Sequence, residues 1–164
     1  MSIQQDLLKE FEEYARKAGT AKDLMQHISQ RLHEAMSRYN WVGFYLMEAP
    51  AFDTLVLGPY VGSFAGTLRI PLDQGLCGAA ATTGKTVVVN NVVADLRYLG
   101  SDIVKSNIVV PIFVSKRVVA ELDIESYFTN AFPAAEQTFV ESCAALVERY
   151  MKKEPLARET SGTN

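Results

Sequence analysis

The sequence predicts an α+β sandwich: one antiparallel sheet of five to six strands, with N- and C-terminal helices on one face and a loop-covered pocket on the other. Three observations lead there. Apolar residues recur at 3–4 spacing over the first 36 positions, and short aromatic or β-branched runs separated by turn residues fill positions 41 to 126. One further amphipathic stripe follows Pro133. Helices that come first and last, around a meander of strands, stack on one side of the sheet and leave the loops between strands on the other.

The elements follow in order. Ile3, Leu7, Leu8, Phe11, Tyr14 and Ala15 make the stripe of a first helix, which Gly19 ends. Thr20-Ala-Lys-Asp23 opens a second, with Leu24, Ile28, Leu32, Ala35 and Met36 as its apolar face. Trp41 to Met47 reads as a largely buried strand, and Thr54 to Pro59 as its hairpin partner across Pro50. Residues 60–67 are irregular, and Leu68-Arg-Ile70 is a short strand. Gly75 to Thr83 is a compact helix of small residues closed by Gly84, and Thr86 to Val89 is a strand. Residues 90–106 are a mixed segment, a short helix or a lid. Asn107 to Ser115 and Arg117 to Glu125 form a hairpin turning at Ser115-Lys116. Pro133 opens the last helix, striped by Phe139, Cys143, Leu146, Val147 and Tyr150. Residues 1–19 are expected to be a helix at a dimer contact, 20–152 the domain proper, and 153–164 a disordered tail.

Composition narrows the function. Sixteen Lys and Arg against nineteen Asp and Glu give a net charge of −3, which disfavours nonspecific nucleic-acid binding. Cys77 and Cys143 are the two cysteines and His27 and His33 the two histidines. A disulfide scaffold, a multi-thiolate metal site and histidine-based catalysis are therefore not expected, and no cofactor is implied. The acidic first turns and the lack of a long apolar run point to a cytoplasmic protein without a membrane segment.

Gly75-Leu-Cys-Gly78 places a thiol in the first turn of a helix, where free amides and the helix dipole bind anions or lower a thiol pKa. The same residues also suit plain tight packing. Cys143 sits on an apolar stripe and reads as a buried inert thiol. Glu121, Asp123 and Glu125 share one strand face, opposite Leu122 and Ile124. That face is either solvated, or supplies acid/base groups to a pocket. Trp41 and Tyr45 share a strand face as core or as an aromatic wall, and Asp95, Tyr98, Ser101 and Asp102 lie in the possible lid.

Trp41-Val-Gly-Phe-Tyr-Leu46, Leu55-Val-Leu-Gly-Pro59, Arg69-Ile-Pro71, Gly75-Leu-Cys-Gly78, Ile108-Val-Val-Pro111 and Leu122-Asp-Ile-Glu-Ser126 occur in the order and spacing of GAF domains. Specifically, the chain resembles the free methionine-(R)-sulfoxide reductases. The resemblance implies three pocket cysteines, of which Cys77 is retained. The other two fall at Gly66 or Thr67 and at Ser101, and the family's carboxylate before Ile-Val-x-Pro is Asn107 here. Exchanging that acid for an amide removes a negative charge and offers N–H donors. The pocket thereby becomes similar to that of GAF nitrate receptors, with Phe64-Ala65-Gly66, Trp41 and Tyr98 as matching features.

Two readings follow. The first is a non-catalytic sensor that holds a small oxyanion such as nitrate and signals to a partner, a sensor kinase for example. Its ligand-binding residues are expected to be Trp41, Tyr45, Phe64, Ala65, Gly66, Cys77, Tyr98, Ser101, Asn107 and Asp123. The second is a free methionine-(R)-sulfoxide reductase working through Cys77, with Asp123 and Glu125 and an external thiol. A homodimer through the terminal helices is expected in both.

Overall fold

The computed structural model describes residues 2–154. Helix α1 (Ile3–Lys17) starts in a capping box between Ser2 and Gln5, and α2 (Ala21–Ala35) starts at Thr20, whose hydroxyl accepts from the Asp23 amide at 3.1 Å. Strands β1 (Trp41–Met47), β2 (Thr54–Gly62), β3 (Arg69–Pro71), β4 (Val87–Val89), β5 (Ser106–Val114) and β6 (Arg117–Ser126) form one antiparallel sheet of order β3-β2-β1-β6-β5-β4. Helix α3 (Gly75–Thr83) lies between β3 and β4, and α4 (Ala134–Lys153) closes the described chain. Residues 155–164, most of the expected tail, lie outside the described residues.

Side-chain alternation divides the molecule into two layers. Val42 and Phe44 of β1, with Leu122 and Ile124 of β6, point into a core shared with α1, α2 and α4. Trp41 and Tyr45 point the other way, into a smaller cluster with Leu76 and Cys77 of α3 and Val109 of β5. The sheet thus separates the two thiols, Cys143 in the helical core and Cys77 on the opposite face. Among the described residues no helix is long and apolar enough to cross a membrane.

Three local outcomes refine the sequence reading. The β5–β6 turn is where it was expected, with Ser115 and Lys116 both left-handed, at φ 52° and 66°. Strand β2 runs past Pro59 to Gly62, because a register irregularity between Gly43 and Tyr45 falls opposite Gly58-Pro59. Proline lacks a ladder donor, so an irregularity there loses no hydrogen bond and pairing resumes at Tyr60. The mixed segment contains one 3-10 turn, Val92–Ala94, followed by loop up to β5.

Helix α3 carries Cys77 and is pressed against the chain leading out of β3. A Cβ at Gly78 would lie 2.6 Å from the Leu72 carbonyl oxygen. Gly78→Ala is therefore expected to destabilise the fold by about 1–3 kcal/mol, the range for overpacking, as read by urea unfolding. Wild-type stability in that variant would show that α3 can shift freely.

Candidate functional site

The face of the sheet opposite the terminal helices floors a cavity of about 500 Å³. Its walls are the 64–67 loop, the first turn of α3 and the 98–101 loop, with β5 and β6 beneath. Tyr45, Phe64, Ala65, Gly66, Cys77, Tyr98, Ser101, Asn107 and Asp123 all line it, as does Glu125. Trp41 is placed behind the wall instead. Fully buried, it stacks on Tyr60 and Phe64, and its indole N–H donates to the Phe64 carbonyl at 3.2 Å. Tyr45 ties down the other end of the same loop, its hydroxyl donating to the Thr67 carbonyl at 3.0 Å. These two β1 aromatics hold the loop in place, and Phe64 carries the wall forward.

The floor is a chain of polar groups. Asp123 accepts on both oxygens, from the Asn107 amide at 2.6 Å and from the Cys77 thiol at 3.7 Å. The Asn107 amide nitrogen also donates to the Ile124 carbonyl at 2.9 Å. Glu125 stands two residues along the same strand face, with its Oε1 2.9 Å from the Tyr98 hydroxyl. That hydroxyl is also 3.1 Å from the Ser101 carbonyl, so one phenol joins the roof loop to the floor. Strand register explains the assembly: Asn107 pairs with Glu125, Val109 with Asp123, and Trp41 with Glu125.

Burial dominates the electrostatics. Asp123 is held above the ordinary carboxyl range by desolvation, which its bonds from Asn107 and Cys77 only partly offset. Glu125 is raised by desolvation and then by the neighbouring charge of Asp123. The Cys77 thiol is pushed well above its usual value by burial and by Asp123, Glu121 and Glu125. A first-turn position can lower a thiol pKa, but the dipole contributes about half a charge where three carboxyl groups oppose it. Glu125 and Asp123 receive different partners, and this divides their roles. Asp123, accepting on both oxygens, is the group best supported as an anion. Glu125, raised to about 8 by burial and then by Asp123, is the one whose proton is held more tightly.

The cavity also uses residues outside the sequence-based set: Thr67, Arg69, Gln74 and Leu99 among them. Arg69 is held in a two-point ion pair with Glu48, at 2.7 and 2.6 Å. Glu121 was noticed as part of the acidic face, yet its burial was not anticipated. It is 0% exposed, and neither carboxyl oxygen has a hydrogen-bond partner among the described residues. Its pKa is raised well above normal by desolvation and then by Asp123. Between the ordinary and the raised value the unfolded chain releases this proton and the folded chain keeps it, so stability falls as pH rises, by about 1.4 kcal/mol per pH unit for one proton. Glu121→Gln removes that penalty. Its melting temperature is expected to exceed wild type by more at pH 8 than at pH 5; an equal gain at both would contradict the assignment.

The profile of the GAF domain family matches residues 18–151. The chain belongs to the GAF domain family. It is similar to the free methionine-R-sulfoxide reductase of Escherichia coli K12, 32% identical over 128 residues, or 77% of this chain and 75% of that one. The crystal structure of free methionine-R-sulfoxide reductase from Neisseria meningitidis in complex with its substrate superposes with a TM-score of 0.86 at 29% identity, over 97% of this chain and 92% of that one. The reduced form of the Staphylococcus aureus enzyme gives a TM-score of 0.83 at 28% identity, over 92% and 96%.

These relatives overturn the expectation of a non-catalytic nitrate sensor in this GAF domain. The E. coli relative and both solved structures are free methionine-R-sulfoxide reductases, and the likeness to nitrate receptors finds no support among them. Geometry gives the physical reason. The Asn107 amide, read as a donor for an anion, is spent on Asp123 and the Ile124 carbonyl. An oxyanion at the floor would meet the carboxyl groups of Asp123 and Glu125, and Arg69 is already paired with Glu48.

Proposed function

We propose that this GAF protein reduces free methionine-(R)-sulfoxide through Cys77, with an external thiol restoring the enzyme. One observation carries the reading: the Cys77 thiol donates to Asp123 at 3.7 Å on the floor of the cavity, with Glu125 beside it on the same strand face. The homology to free methionine-R-sulfoxide reductases supports the same substrate. A free amino acid brings an ammonium group that an acid-floored cavity attracts, and Phe64 and Tyr45 offer apolar surface to its methylthio end.

Each floor group then has a role. Asp123 takes the thiol proton as sulfur attacks sulfur, so a high-pKa thiol need not ionise before substrate arrives. Glu125 gives its proton to the sulfoxide oxygen as the S–O bond to methionine breaks. The transient sulfur–sulfur bond then breaks with its electron pair leaving on methionine, the protonated oxygen is carried to Cys77 as a sulfenic acid, and the proton held by Asp123 restores Glu125. Asn107 holds Asp123 in line by its 2.6 Å bond. Cys143 is buried on the far side of the sheet, so the sulfenic acid requires a thiol from solution.

Stereochemistry tests the proposal. With a reducing thiol present, methionine should form from the free (R)-sulfoxide and far more slowly from the (S)-sulfoxide. Equal rates for the two isomers would contradict a shaped site. Glu125 also sets a pH dependence: it donates only while protonated, so turnover should decline on the alkaline side as it ionises. Glu125→Gln should lose most activity at every pH and flatten that limb, whereas an unchanged alkaline limb would assign the proton to another group.

A further inference from the structure

Resting on the reductase reading, we infer that the regenerating reductant is a small amino-bearing thiol that enters the same cavity methionine has left, and not a protein dithiol. Access is the first ground. Cys77 is 6% exposed and opens onto the cavity floor, while α3 and the sheet pack around its other sides. The roof loop is tied over that floor by Tyr98, bonded to both Ser101 and Glu125. A cysteine projecting from a protein surface would have to reach a sulfur that is 6% exposed beneath that roof, whereas a free thiol of methionine's size fits within the cavity of about 500 Å³. Charge is the second ground. Asp123 and Glu125 face the oxidised sulfur, and Arg69 at the wall is engaged by Glu48. A thiol of net negative charge is repelled there, and one of net positive charge is attracted.

The chemistry balances with two thiols. The first attacks the sulfenic sulfur; a mixed disulfide forms between Cys77 and the thiol, and hydroxide leaves as water with the proton the thiol gives up. The second attacks the small-molecule sulfur of that disulfide, releasing the Cys77 thiol and a symmetric disulfide. Two electrons per cycle pass from the thiol pair to the sulfoxide. Methionine and the thiol occupy one site in turn, so the kinetics should be ping-pong and methionine should inhibit competitively against the thiol.

The test measures reduction of the Cys77 sulfenic acid by cysteamine, 2-mercaptoethanol and 3-mercaptopropionate, and by a protein carrying an exposed Cys-x-x-Cys dithiol. The sulfenic acid is prepared both by one turnover with the sulfoxide and by dilute hydrogen peroxide, and trapped with dimedone to measure what remains. Each rate is divided by the same thiol's rate with a small disulfide in solution, which removes intrinsic reactivity. Cysteamine is expected to exceed 3-mercaptopropionate by about tenfold or more, with the neutral thiol between them and the protein dithiol slowest. Equal normalised rates, or a faster protein dithiol, would overturn the inference. If the sulfoxide leaves no sulfenic acid while peroxide does, the reductase reading fails, and the thiol series on the peroxide-treated protein still decides the access claim.

Discussion

Cys77→Ser is expected to abolish methionine formation, lowering turnover by about a thousandfold or more while the free sulfoxide still binds. The hydroxyl is smaller than the thiol and keeps Asp123 as an acceptor, so the floor bonded by Asn107 should stay in place. It cannot attack sulfur at neutral pH, nor carry the oxygen away as a reducible sulfenic acid. Steady-state methionine release, with binding followed by calorimetry, separates the two effects. Turnover within tenfold of wild type would place the attacking group elsewhere.

The second large effect belongs to Asp123→Asn. Turnover is expected to fall by about 10²–10⁴-fold, the usual size of a lost general base. Stability should be unchanged or higher, because the variant removes the buried carboxyl that raises Glu121, Glu125 and Cys77 together. Activity lost alongside raised stability is not what a packing role would give. Thiol alkylation supplies a further readout. With the neighbouring charge gone, Cys77 should react with iodoacetamide at lower pH than in wild type, and an unchanged profile would contradict the electrostatic coupling.

Much of this was legible in the sequence because alternation is a strong signal where both sheet faces are buried. Val42 and Phe44 against Trp41 and Tyr45, or Leu122 and Ile124 against Asp123 and Glu125, assign faces from spacing alone. Alternation placed Asp123 and Glu125 on one face without deciding whether that face was solvated or lined a pocket, the family resemblance supplied the 64–66 loop, and Thr67, Arg69, Gln74 and Leu99 were not read as lining residues. Three things were not legible. Trp41 lies behind Phe64 because the loop folds over it through a carbonyl, and no side-chain pattern encodes that bond. Asn107 was read from its chemistry alone; the register sets it opposite Glu125, and only its bond reaching diagonally to Asp123 shows where its donors go. Glu121 has the spacing of a pocket acid, but it is fully buried outside the cavity lining, and spacing carries no depth. The missing cysteines pointed away from an enzyme. What remains, one thiol beside a carboxyl acceptor with the other cysteine on the far side of the sheet, is what the proposed oxygen transfer rests on, and it leaves regeneration to a thiol from solution.

Mass spectrometry after a single turnover without added thiol tests the central claim most directly. Protein in excess over free methionine-(R)-sulfoxide should yield one methionine per oxygen atom gained, with dimedone labelling Cys77 and leaving Cys143 unmodified. Methionine formed with no change at Cys77, or none formed by the folded protein, would contradict it.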